Sequence, residues 1–190
     1  MLLLNGYSPT VIVHDTFKPE GIYANPSVKI EHIPNVPCHN EVRKDETFDE
    51  DVLAIETRLR EILKDVDVVI THDIVYQNAC LKHNFAARRV AKDFPKLRWL
   101  HWIHSATSPL LLQMLRPIFT DDYINLVETE FPNSKYVYPN TFAVPSVAKN
   151  FNVSQEDVVT VHHATDICDF LGIPKEVEEV IYKKDILTAD

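Results

Sequence analysis

At 190 residues, with 45% hydrophobic and 25% charged side chains, the chain suits one globular domain with at most a small appendage, and wholesale disorder is not expected. A formal net charge of -9 argues against a general nucleic-acid binder, because phosphate contacts need clustered Lys and Arg. The one dense basic stretch, Lys82 to Lys92 with Arg88 and Arg89, reads as the solvated face of a helix.

Met1 to Leu4 is apolar but stops at Asn5-Gly6 without a basic leader, too short for a signal peptide. Thr10 to His14 is the first predicted strand, and Val28 to Ile33 alternates as a second, ended by Pro34 and Pro37. A polar loop from Val36 to Asp49 leads into a helix through Lys64, with Val52, Ile55, Leu59, Ile62 and Leu63 on one stripe. Asp67 to His72 is short, β-branched and continuously apolar, the pattern of a strand covered on both faces. A helix is expected over Val75 to Asp93, ended by Phe94-Pro95. The next strand is Arg98 to His104, followed by the polar loop Ser105 to Pro109 and a short helix from Leu110 to Arg116. Tyr136 to Tyr138 reads as a strand, Thr141 as the N-cap of a helix to Phe151, and Asp157 to Val161 as the last strand. An amphipathic helix over Lys175 to Leu187 closes the series. Strands alternating with helices specify an α/β fold, a Rossmann-like parallel sheet with helices on both faces. Both ends read as unfinished: a strand–helix unit is expected before the first strand, and the last helix lacks a stop signal.

Ligands of open parallel sheets bind beyond the carboxyl ends of the strands. That rule selects His14 and Asp15, His72 and Asp73, His104 with Ser105 and Thr107, and His162, His163 and Asp166. Imidazole titrates near neutrality and both donates and accepts, so acid–base or hydrogen-bonding work by a strand-end histidine is the simplest chemistry. A metal site is not expected: His101 and His104 point to opposite strand faces, and no His-Glu-x-x-His helix occurs. His32, His39, His83 and His101 are assigned structural or exposed roles, and Trp99 and Trp102 are both assigned to the core. No Gly-x-Ser-x-Gly elbow supports a nucleophilic serine. The three glycines, Gly6, Gly21 and Gly172, are far apart, so neither a P-loop nor a Gly-x-Gly-x-x-Gly turn is present. Cys38, Cys80 and Cys168 form no Cys-x-x-Cys pair, so no disulfide framework or cysteine zinc site is expected and a reducing cytoplasm fits. No apolar run approaches the roughly 20 residues of a membrane span, although peripheral contact stays open.

The last third carries a family pattern. Phe131-Pro-Asn-Ser134, Tyr136-Val-Tyr138, the helix with Val147 to Phe151, Asp157 to Val161 and Ala164-Thr-Asp166 together resemble glycosyltransferases of family 4. Asp67 to His72 and Arg98 to His104 resemble two further strands of that family, and Leu2 to Val13 resembles the end of its first helix and its second strand. The family's Asn-Gly hinge element is replaced here by His163-Ala164-Thr165-Asp166, with Phe170 as the following aromatic.

The resemblance implies the acceptor-side, N-terminal half of a GT-B glycosyltransferase, residues 1–166, with 167–190 leading to a donor-binding domain. It implies transfer of a sugar from a nucleotide-sugar donor to a sugar, lipid or other acceptor, with no bound cofactor. His104 would be catalytic. His14, Asp15, His72, Asp73, Ser105, Thr107, Asn133 and Ser134 would line the acceptor cleft, and His162, His163 and Asp166 would form the hinge. Readings from other classes are a non-catalytic Rossmann-like interaction module and a small α/β hydrolase.

Overall fold

A computed structural model describes residues 6–107, 112–162 and 177. Its compact unit Met1–Thr160 holds strands β1 (Thr10–His14), β2 (Lys29–Ile33), β3 (Val68–His72), β4 (Arg98–Trp102), β5 (Ser134–Tyr138) and β6 (Val158–Thr160). Its helices are α1 (Phe48–Ile62), α2 (Leu81–Asp93), α3 (Leu112–Leu115), α4 (Asp121–Glu128) and α5 (Val144–Phe151). The second unit is Val161–Asp190, and the expected helix over 175–187 lies outside the described residues apart from Val177.

The fold is α/β with parallel sheets, as the alternation of apolar strands and amphipathic helices requires. β3, β4, β5 and β6 form one parallel sheet in that order, with Ile70 opposite Leu100 and Trp102 opposite Val137. β1 pairs in parallel with β2 in a separate two-stranded sheet, so Val11 to Val13 does not join the ladder of the other apolar strands.

One core fills the space between the helices and one face of the larger sheet. Trp99, Ile103, Tyr136 and Val158 meet Leu63 beyond α1, Val90 and Ala91 of α2, and Val147 and Ala148 of α5. A second cluster joins Phe48, Val52 and Ile55 of α1 to Leu81 and Phe85 of α2, with Leu115, Tyr123 and Ile124 of α3 and α4. The opposite sheet face is half open: Val68 is 37%, Ile70 47% and Val159 40% exposed. β3 is therefore not covered on both faces as its composition implied. It is an edge strand of its sheet, and its apolar run reports β propensity more than burial. Trp99 is core, but Trp102 points to this open face and is only half-buried.

Local chemistry explains where the elements begin. Asp49, Glu50 and Asp51 occupy the first turn of α1, where the helix dipole favours negative charge. α2 starts at Leu81 rather than near Val75, because Asp73 adopts a left-handed backbone (φ 60°) and closes a turn with Tyr76 N and Gln77 N. α4 was not expected from hydrophobic period, yet Thr120 followed by Asp121 and Asp122 is a helix-start signature. The cap before α5 is Asn140, whose side chain accepts from Phe142 N at 2.9 Å, not Thr141.

The basic stretch of α2 is not a uniformly solvated face. Lys82 is buried between Asp45 (2.8 Å) and Asp51 (2.7 Å), which pins the loop after β2 to α2. Arg88 is also buried. It donates to Asn84 Oδ1 at 2.8 Å and to the carbonyls of Leu126 (3.2 Å) and Thr129 (2.8 Å), where the last turn of α4 offers its negative end.

Candidate functional site

The carboxyl ends of β3 and β4 lie side by side because the two strands pair in parallel, with His72 opposite Trp102. The chain then leaves both strands into polar segments, and their side chains converge. His104 Nδ1 sits 3.0 Å from Asp73 Oδ1 and 3.1 Å from Oδ2. A carboxylate only accepts, so Nδ1 is the donor, and in the neutral ring Nε2 keeps a free lone pair. The backbone N–H of His104 also donates to Asp73 Oδ1 (3.2 Å) and to Tyr76 Oη (3.1 Å), while the Tyr76 hydroxyl donates to the same Asp73 oxygen. Asp73 thus receives three donors, from Tyr76 and from the ring and backbone of His104.

The left-handed backbone of Asp73 turns its carboxylate back over β4 in the tight turn. Strain at a polar residue of a strand end is the kind retained where geometry serves chemistry. Burial pushes the Asp73 carboxyl up, but the hydrogen bonds from Tyr76 and His104 outweigh it and hold it below its ordinary value. Burial and the Asp73 contact push the Tyr76 hydroxyl up, so it stays a protonated donor. The His104 side chain is 46% exposed and that of Asp73 31%, so the pair is open to a ligand without being freely solvated.

Two more rings frame the pair. His72 stacks on Trp102 with centroids 6.1 Å apart and on His104 at 5.8 Å, making a short aromatic strip along the open face of the sheet. The adjoining loop carries Ser105 and Thr107, and is tied to α5 by Asn150 Nδ2 donating to the Ala106 carbonyl at 2.8 Å. Ser105 Oγ donates to the Thr107 carbonyl at 2.9 Å, so its proton is directed within the loop rather than toward His104.

The other expected residues are elsewhere. His14 and Asp15 end β1 in the smaller sheet, where His14 stacks on His83 of α2 at 5.6 Å. Burial, helped by His14 and Lys82, pushes His83 down to about 4. Asn133 and Ser134 do not line this cleft. Ser134 opens β5 opposite Trp99, at the amino end of the sheet. Asn133, left-handed at φ 48°, donates to the Leu97 carbonyl (3.0 Å), and Ser134 to that of Phe131 (2.9 Å). Only the family pattern placed this pair at the site, and it lies at the start of β5, at the opposite end of the sheet. His162 follows β6, and His163 and Asp166 lie outside the described residues.

His101, three positions before His104, is fully buried on the helix-covered face, where Nδ1 meets Thr71 Oγ1 at 2.9 Å. Burial, reinforced by Arg88, pushes its imidazole down to about 3, so it is neutral across the physiological range. Tyr76 was missed as a site residue because the helical pattern from Val75 placed it in a helix. Its signal is spacing: three residues after a strand-end Asp is the reach of a one-turn hydrogen bond. Among the described residues, no group of three His, Cys, Asp or Glu can hold a metal, and no helix is long and apolar enough to cross a membrane.

No family model and no curated protein matches this chain. The functional reading therefore rests on the site itself and on the motif resemblance.

Proposed function

We propose that this chain is the acceptor-side half of a nucleotide-sugar-dependent glycosyltransferase, in which His104 handles the acceptor hydroxyl. One observation carries the reading: an Asp–His pair at the carboxyl rim of a parallel sheet, in which Asp73 takes Nδ1 and no described residue takes the second imidazole nitrogen. Asp73 fixes the tautomer and stabilises the cation that forms. Nε2 accepts the proton of an incoming hydroxyl, the acceptor oxygen bonds to the anomeric carbon of the donor sugar, and the bond from that carbon to the nucleotide phosphate breaks, releasing the nucleotide. The Trp102–His72–His104 strip offers a flat wall to a ring-shaped acceptor beside that base.

The donor is held by a second domain, as the family resemblance implies; the scattered glycines of this chain provide no diphosphate cradle. The protein acts in the cytoplasm on a sugar, lipid or other hydroxyl acceptor and uses no bound cofactor, and peripheral membrane contact stays open. The half-open face of Val68, Ile70 and Val159 favours a second reading, a non-catalytic interaction module.

The two readings separate in a binding experiment. Titration of the chain with simple saccharides should shift the His72, Trp102 and His104 resonances at millimolar concentration. Calorimetry with UDP- and GDP-sugars should find no tight site. Micromolar or better binding of either donor contradicts the division of labour. Saccharides that leave all three resonances in place favour the interaction module.

A further inference from the structure

Two cysteines that are distant in sequence come to one place in the fold. Cys38 lies in the loop after β2, and Cys80 closes the short turn before α2. The two segments are joined on both sides of Cys80 and just after Cys38: Asn78 Nδ2 donates to the Asn40 carbonyl at 3.3 Å, and Lys82 Nζ to Asp45 at 2.8 Å. Pro37 and His39, which flank Cys38, line the same small cavity as Ala79 and Leu81, which flank Cys80. Both thiols are free, Cys38 exposed and Cys80 half-buried. No third metal ligand joins them among the described residues, so metal binding does not explain the pairing.

We propose that Cys38 and Cys80 are a reversible dithiol–disulfide pair, a modification site that latches the loop after β2 onto the start of α2. The exposed Cys38 reacts first. With glutathione disulfide as the oxidant, the Cys38 thiolate attacks one of its sulfurs, the S–S bond breaks, and one glutathione thiolate leaves. Cys38 then carries a mixed disulfide. Cys80 loses its proton to solvent and attacks the Cys38 sulfur, which expels the second glutathione. Two protein thiols are oxidised by two electrons, and one glutathione disulfide is reduced to two thiols.

The environment assigns the order of these steps. Burial pushes the Cys80 thiol up, and the neighbouring Cys38 and Asp73 add in the same direction. Cys80 is thus the poorer nucleophile at neutral pH, and closure of the latch should accelerate as pH rises.

Oxidation of the native chain with glutathione disulfide, followed by intact mass and peptide mapping, tests the pair. The expected product has lost two hydrogens, carries no glutathione, and links Cys38 to Cys80. It should form several-fold faster at pH 9 than at pH 7 and should revert with dithiothreitol. Cys80→Ser should stop at a glutathione adduct on Cys38, and Cys168→Ser should still close the bond. A wild-type chain that stops at the Cys38 adduct even at pH 9, or that links either residue to Cys168 instead, overturns the proposal.

Discussion

β4 carries two histidines three residues apart, and they meet opposite conditions. His101 faces the helices, is fully buried beside the Arg88 guanidinium, and is held neutral. His104 lies past the strand end, half-exposed, with a carboxylate on Nδ1. The same side chain is a packing element in one place and, in the proposed function, a base in the other. What separates them is access: a histidine can move a proton only if its second nitrogen meets solvent or substrate. The buried layer around His101 and Arg88 supports the sheet, and the rim around His104 and Asp73 is the place proposed for chemistry.

The largest expected effect tests the buried side. Arg88→Ala leaves the carbonyls of Leu126 and Thr129 and the Asn84 amide without their donor. Urea unfolding should show a loss of about 3 kcal/mol or more. A loss below about 1 kcal/mol would mean that α4 is not held through this side chain.

A second comparison uses pH. His83 and His101 are both pushed well below the ordinary histidine value, to about 4 and about 3. Below the unfolded value of about 6.5, the unfolded chain binds protons that the folded chain refuses. Their contribution is therefore complete above about pH 6.5 and is lost progressively as pH falls toward 4, by an amount on the order of a few kcal/mol. Asp73, held low, adds a loss in the same direction at still lower pH. His101→Phe should flatten the slope between pH 6.5 and 4 in denaturant titrations. An unchanged slope would show that His101 titrates normally and is not sealed from solvent.

The smallest effect on stability belongs to the rim. His104→Ala should change unfolding free energy by no more than about 0.5 kcal/mol, as for an exposed residue with little packing. If the proposed glycosyl transfer holds, the same change should lower turnover by roughly 10² to 10⁴, the range for a positioned acid–base group. A large loss of stability with turnover intact would reverse the roles given to the two histidines.

Much of this arrangement was legible in the sequence. The apolar runs at Asp67 to His72 and Arg98 to His104, alternating with amphipathic helices, specified parallel strands, and the rule of strand carboxyl ends picked out His72, Asp73 and His104 among its candidates. What stayed hidden was tertiary. The left-handed Asp73 opens a turn and delays to Leu81 the helix expected from Val75, so Tyr76 was read as part of a helix instead of a hydrogen-bond donor to the carboxylate. Lys82 and Arg88 looked like solvated charges, because their partners come from the Asp45–Asp51 region and the end of α4. The half-open face of β3 was hidden for a related reason: a β-branched run looks the same whether one face or two are covered.

Asp73 holds His104 with Nδ1 as the donor, and no described residue takes Nε2. Nitrogen-15 chemical shifts of the imidazole of the native chain at alkaline pH, where the ring is neutral, report the tautomer directly. A protonated Nδ1 and a bare Nε2 are expected, with the preference lost in Asp73→Ala. A ring protonated on Nε2, or one that Asp73→Ala leaves unchanged, would contradict this assignment.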